Sequence, residues 1–171
     1  LPPESTIRNV FTLASGATFG QLALILVSPI LTRIYTPEEF GVLAVYASLL
    51  GILSTISGFR YELAILLPKT DGSAINILVL TVLSVFFTTA LVAIIVVLFG
   101  AKISTPSVAP FLWLLPFGIL LTGIYQAFNC WAIRRHRFNR IAITKMQQGI
   151  GGAVAQVGLG LAHLGPFGLI T

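Results

Sequence analysis

Charge is scarce in this chain. Of 171 residues only 9% are charged, and just five of those are acidic, against about a quarter charged in an ordinary soluble domain. A surface cannot be solvated with so few ions, which excludes a water-soluble globular domain as the resting state. The acids Glu4, Glu38, Glu39, Glu62 and Asp71 are also too few and too scattered to supply a carboxylate pair for hydrolytic chemistry. There is a single cysteine, Cys130, so no intrachain disulfide framework is possible. His136 and His163 have no ligand-spaced partners, which argues against a metal site, and no glycine-rich loop is placed to cradle a nucleotide phosphate. On these grounds the chain is expected to be neither an enzyme nor a cofactor or metal binder.

What the chain has instead is hydrophobic length. Hydrophobic residues make up 56% of the sequence, at a mean hydropathy of +0.98, and they come in long runs. About 20 mostly apolar residues cross a hydrocarbon layer as a helix. Five stretches meet that need, at about 9–32, 40–59, 74–100, 109–132 and 146–169. Strands are excluded, because an open sheet edge cannot be satisfied in lipid and barrel strands alternate polar with apolar residues. The expected fold is all-α, a polytopic transmembrane helical bundle of five spans. A signal peptide is a poor reading of the first span, which is too long and lacks a convincing cleavage site.

Cations set the orientation. One side of the membrane receives Arg8, Arg60, Lys69, Arg134, Arg135, Arg137, Arg140 and Lys145, and the other only Arg33 and Lys102. The N-terminus and the Arg-rich fourth connection are therefore expected in the cytoplasm. Trp113 and Trp131 lie 18 residues apart, roughly 27 Å along a helix, which places one near each interface.

Small and polar residues mark the faces by which membrane helices pack or line a cavity. The second span carries Gly41, Ala44, Ser48, Gly51, Thr55 and Gly58, followed by Glu62, at alternating steps of three and four. The first span offers Ala14, Thr18, Gln21, Ser28 and Thr32, the fourth Gly118, Thr122, Tyr125 and Asn129 with Gln126 beside them, and the fifth Lys145, Gly149, Gly152, Gln156 and His163. The glycine-rich faces suit helix packing. Gln21, Tyr125, Gln126 and Asn129 are larger than packing needs and suit a wet cavity. Pro29 and Pro116 fall inside apolar spans and are expected to bend them. Arg60 and Glu62, two positions apart, point in different directions if the helix continues. Arg60 reads as either an interfacial anchor or a substrate contact. The basic run from Arg134 to Arg140 is a topology anchor that can also attract phosphate or anionic lipid heads. It is too short and too tethered for nucleic acid.

Three passages resemble a known family: Ser28-Pro29-Ile30-Leu31-Thr32-Arg33-Ile34-Tyr35 running through Thr36-Pro37-Glu38-Glu39-Phe40-Gly41, then Gly58-Phe59-Arg60-Tyr61-Glu62-Leu63-Ala64-Ile65-Leu66-Leu67-Pro68, and Asn129-Cys130-Trp131-Ala132-Ile133-Arg134-Arg135 with Arg137-Phe138. They resemble the polysaccharide and O-antigen flippases of the multidrug/oligosaccharidyl-lipid/polysaccharide exporter superfamily. The resemblance implies a transporter of two helical bundles in the bacterial inner membrane, with residues 1–171 as a truncated first bundle. It implies transfer of an undecaprenyl-pyrophosphate-linked oligosaccharide between leaflets, with membrane lipids and other assembly proteins, such as a polysaccharide polymerase, as partners. On that reading Arg60, Arg134 and Arg135 are first contacts for the pyrophosphate at a cytoplasmic mouth, with Glu62 beside them, and Gln21, Tyr125 and Asn129 are sugar contacts deeper in. Two rivals are a cation-coupled drug exporter of the same superfamily, against which the acid-free first span argues, and a non-transporting scaffold of a polysaccharide assembly complex. A scaffold should bury its polar stripes, whereas a flippase should leave them wet.

Overall fold

The computed structural model describes residues 3–103, 109–161 and 167–170, with side chains at 11, 14–100, 110–161 and 168–170. Among the described residues there are helices and no strands: α1 (Pro3–Ile34), α2 (Pro37–Ser57), α3 (Tyr61–Ala64), α4 (Asp71–Ile103), α5 (Ala109–Leu112), α6 (Leu115–Arg134), α7 (Phe138–Leu161) and α8 (Phe167–Ile170). His163 and the side chains of Arg8 and Lys102, used above, lie outside the described residues.

Among the described residues four segments are long and apolar enough to cross a membrane: Ala14–Ile34, Pro37–Ser57, Asp71–Gly100 and Pro110–Arg134. Helix α7 is 24 residues long but less apolar, and it is not among the four. It also starts at Phe138, so Lys145, counted above with the fourth connection, sits two turns inside a helix.

The chain divides into two compact units, residues 1–43 with 135–171, and residues 44–134. The first unit is built on α1 against α7, with α8 on α7. The two long helices run parallel: Gly16 faces Ala142, Gly20 faces Lys145 and Gly149, and Ile34 and Tyr35 face Gly160. Glycine permits this approach. A Cβ on Gly16 would lie 2.6 Å from the Ala142 carbonyl oxygen, and one on Gly149 would overlap the Gly20 backbone. Leu31, Tyr35 and Leu169 form a buried cluster, with Val27, Phe40, Leu43 and Val157 packed on it. The Tyr35 hydroxyl donates to the Gln156 carbonyl at 2.8 Å. The start of α2 is a capping box with proline at its first position. The Glu39 amide donates to Thr36 Oγ1 at 3.3 Å, and the Thr36 amide donates to Glu39 Oε2 at 2.7 Å. Pro29 sits within α1 without ending it.

The second unit packs α4 on α6, with α3 against both. One face of α4 carries the buried Ala74, Thr81, Val85, Thr88, Val92 and Val96, at steps of three, four and seven that share a side. Its opposite surface exposes Leu83, Phe87, Ile94, Val97 and Leu98, as lipid contact requires. Two buried hydroxyls of α4 are satisfied on backbone: Thr81 donates to Ile77 at 2.8 Å, and Thr88 to Ser84 at 2.9 Å and to the Ser57 carbonyl at 3.1 Å. The last contact caps the end of α2, where carbonyls lose their helical partners. Pro116 does not bend a continuous helix. The fourth apolar segment breaks after α5, and Pro116 falls in the first turn of α6, where its missing N–H leaves no bond unmade.

Candidate functional site

The second unit turns sharply where α2 gives out. Phe59 and Arg60 both take left-handed backbone angles, φ 47° and 60°, which non-glycine residues adopt at a cost of about 1 kcal/mol or more. The Phe59 amide donates to Ile56 and the Tyr61 amide to Gly58, both at 2.9 Å, closing the corner before α3. The stripe expected to run down the second span into Glu62 is therefore cut at Ser57, because Glu62 belongs to α3. The corner sends its two charges apart. Arg60 is exposed, whereas Glu62 is buried at 8% exposure. A Cβ on Gly58 would come within 2.6 Å of Glu62 Oε2, so glycine makes room for the carboxylate.

Arg134, expected to meet pyrophosphate, is committed within its own unit. Nη1 donates to the Ile65 carbonyl at 3.2 Å and the Pro68 carbonyl at 2.7 Å. Nη2 reaches the Thr70 carbonyl at 3.3 Å and Asp71 Oδ1 at 3.4 Å. One guanidinium thus ties the α3–α4 connection to the end of α6. Its side chain is 13% exposed against 52% for Asp71, so the carbonyl contacts, and not the half-solvated ion pair, carry the stabilisation. Nothing in a run of arginines marks which one turns inward. Arg135, next in the chain, is exposed.

Tyr125 and Asn129 lie one turn apart on α6 and are half-buried. The Tyr125 hydroxyl is buried with no hydrogen-bond partner, an arrangement that calls for water or ligand. They share their side of the helix with Gly118 and Thr122. Thr122 is self-satisfied on the Gly118 carbonyl at 2.7 Å, and a Cβ on Gly118 would meet the Tyr46 hydroxyl at 2.8 Å. Along α2 in this unit, Ala44, Ser48, Gly51 and Thr55 are exposed. A Cβ on Gly51 would meet nothing within 4 Å, so this stripe is an open face and not a packed seam.

In the first unit Gln21 lines a groove of about 260 Å³ between α1 and α7, together with Lys145, Gln148 and the glycine pair Gly20 and Gly149. Lys145 and Gln148 escaped the sequence reading as site residues. The signal for the groove was present in the four-residue spacing of Gly16 and Gly20, a spacing that lets membrane helices meet backbone to backbone. Among the described residues no group of three or more His, Cys, Asp or Glu side chains is placed to hold a metal ion.

Long apolar helices and a lipid-type surface on α4 define a multi-pass α-helical membrane protein. Comparison with family models narrows the class. The chain belongs to the polysaccharide biosynthesis protein family, whose model matches residues 6–166. That match supports the resemblance to polysaccharide flippases of the exporter superfamily and a membrane role in polysaccharide biosynthesis, in a family of transporters and not of enzymes. No curated protein and no solved structure matches the chain.

Proposed function

We propose that the protein moves an undecaprenyl-pyrophosphate-linked oligosaccharide from the inner to the outer leaflet of the bacterial inner membrane, as one bundle of a two-bundle transporter. The family match over residues 6–166 carries this reading. Sugar hydroxyls and a pyrophosphate cannot cross hydrocarbon unaided, since each unsatisfied polar group costs several kcal/mol there. A polar route open to each side in turn is the remedy.

The parallel course of α1 and α7 supports a fifth span. Two helices that run the same way through a bilayer need an odd number of crossings between them. The segments Pro37–Ser57, Asp71–Gly100 and Pro110–Arg134 supply three. In this reading α7 crosses beside α1, its weaker apolar character offset by the glycine contact, and the N-terminus lies in the cytoplasm, as the cation count favours. Arg60, exposed at the corner after α2, meets the pyrophosphate at the cytoplasmic mouth with Arg135, while Arg134 holds the wall of that mouth. Tyr125 and Asn129 meet sugar hydroxyls, a role favoured by the Tyr125 hydroxyl, which has no partner among the described residues. Membrane lipids surround the protein, and a polysaccharide polymerase with other assembly proteins works beside it. The open face of α2 speaks against a scaffold that buries its polar stripes.

The test is export of lipid-linked glycan in cells lacking their own flippase, with and without Arg60→Ala. Restored surface polysaccharide, lost in the variant at equal expression, is the expected result. No restoration with any of several glycans would overturn the reading. One observation favours a second: Glu62 is a buried acid, as a cation-coupled drug exporter needs, and drug efflux that fails in Glu62→Gln would select it.

A further inference from the structure

We infer that the α1–α7 groove is a binding site for a phosphate headgroup inside the membrane, with Lys145 as its cation and Gln21 and Gln148 as its neutral donors. The inference rests on the crossing of α7 beside α1 proposed above.

Depth comes first. The apolar segment of α1 opens at Ala14, and Gly20 follows six residues later, about 9 Å along the axis. Lys145 and Gln148 are level with it, because a Cβ on Gly20 would lie 2.9 Å from the Lys145 carbonyl oxygen and 3.6 Å from Gly149 Cα. An ionisable side chain at that depth is expensive and marks function unless it escapes to the interface. Lysine can escape by stretching its stem toward water. The two glutamines cannot, since their short amides stay where the backbone puts them. All three are exposed, and all three line the same groove.

Charge and space then select the ligand. Arg134 pairs with Asp71 in the other unit. The acids with described side chains in the first unit, Glu38 and Glu39, sit at the start of α2, beyond the far end of α1. Among the described residues of the first unit Lys145 has no carboxylate beside it, and the amides have no described hydrogen-bond partner. A groove of about 260 Å³ is far larger than the ~30 Å³ a water occupies. A lysine ammonium and two amide N–H₂ groups present several donors together, a set matched to the several acceptor oxygens of a phosphate ester. The glycine contact keeps the floor bare: backbone meets backbone at Gly20 and Gly149, so no side chain fills the space between the polar arms. The phosphate can come from the carrier lipid of the glycan or from an anionic phospholipid of the bilayer.

The experiment is native mass spectrometry of the full chain in mild detergent, titrated separately with undecaprenyl pyrophosphate and with phosphatidylglycerol. Lys145→Gln should weaken binding about tenfold, Lys145→Arg should retain it, and Gln21→Ala with Gln148→Ala should weaken it less. Loss confined to undecaprenyl pyrophosphate names the carrier as occupant, and loss of both lipids names any phosphate headgroup. Unchanged binding of both lipids in a folded Lys145→Gln protein overturns the inference and leaves Lys145 a snorkelling anchor. Should Lys145→Gln fail to fold, the double glutamine variant decides, and undiminished binding there overturns it equally. Intact headgroup binding alongside failed export would sink the transport reading alone. An N-terminal tag trapped outside the cell would remove the proposed orientation separately.

Discussion

Gly20 and Gly149 bring α1 and α7 together backbone to backbone, whereas α4 and α6 meet through side chains, with Val85 filling the space before Gly123 at 2.7 Å from where a Cβ would stand. The two contacts differ in what they leave over. Side-chain packing between α4 and α6 buries Thr81 and Thr88, which satisfy themselves on carbonyls, and the recess of about 290 Å³ beside it is lined by apolar side chains such as Ala93, Val96, Phe117 and Leu120. Backbone contact between α1 and α7 sets the helices so close that the polar residues flanking the seam are pushed aside into an open groove. In a bilayer, where apolar surface gives no drive for helices to associate, the first arrangement leaves a recess suited to lipid chains and the second a recess suited to polar groups.

Substitutions can break this comparison. Gly149→Leu should be the most damaging, destabilising the first unit by about 3 kcal/mol or more, because the new side chain starts inside the Gly20 backbone. Gly151→Leu, two positions on, meets nothing within 4 Å and should melt like the native protein. Equal thermal melts for the two in detergent would dissolve the distinction drawn between the units. Arg134→Ala should come next, at roughly 2–3 kcal/mol, since it strips donors from the Ile65, Pro68 and Thr70 carbonyls. Limited proteolysis should then open the chain between residues 65 and 71, and Arg60→Ala should not reproduce that cleavage.

Tyr35→Phe should cost about 1 kcal/mol by deleting the bond to Gln156. Burial, and then the neighbouring Glu39 carboxylate, raises the Tyr35 hydroxyl above its ordinary value of 10.0. A raised folded value means the stabilisation is complete below the unfolded value of about 10 and is lost as pH rises through the folded one. Melts between pH 9 and pH 11, taken as about a unit either side of that value, should therefore fall more steeply for the native protein than for Tyr35→Phe. Asp71→Asn should do least, under about 1 kcal/mol, because its partner Arg134 keeps its three carbonyls.

Much of this could be read in advance. Apolar runs locate the long helices, and Thr36-Pro37-Glu38-Glu39 marks the start of α2 through capping chemistry that is local in sequence. Tyr125 and Asn129 share a face by spacing alone. The corner at Phe59 and Arg60 could not be read, because left-handed angles at two bulky residues follow from what surrounds them and not from their own preference. Arg134 looked like its neighbours, since its role depends on carbonyls more than 60 positions away in the chain. The start of α7 was harder to read than its apolar run: the helix begins at Phe138, two turns before Lys145, because polar residues between them interrupt the apolar signal.

The parallel α1–α7 pair also sets a timetable for synthesis. Gly20 leaves the ribosome 129 residues before Gly149, which at ~5–20 residues per second is roughly 6–26 s. For that interval α1 stands in the bilayer with its glycine face bare, open to any passing helix. When α7 emerges, less apolar than the four candidate spans, α1 is the surface on which it packs, and on the five-span reading proposed above the one that draws it into the bilayer. On that reading the nascent protein is its own insertion partner, and a lesion at Gly20 or Gly149 would first be felt as α7 stranded at the membrane surface during translation.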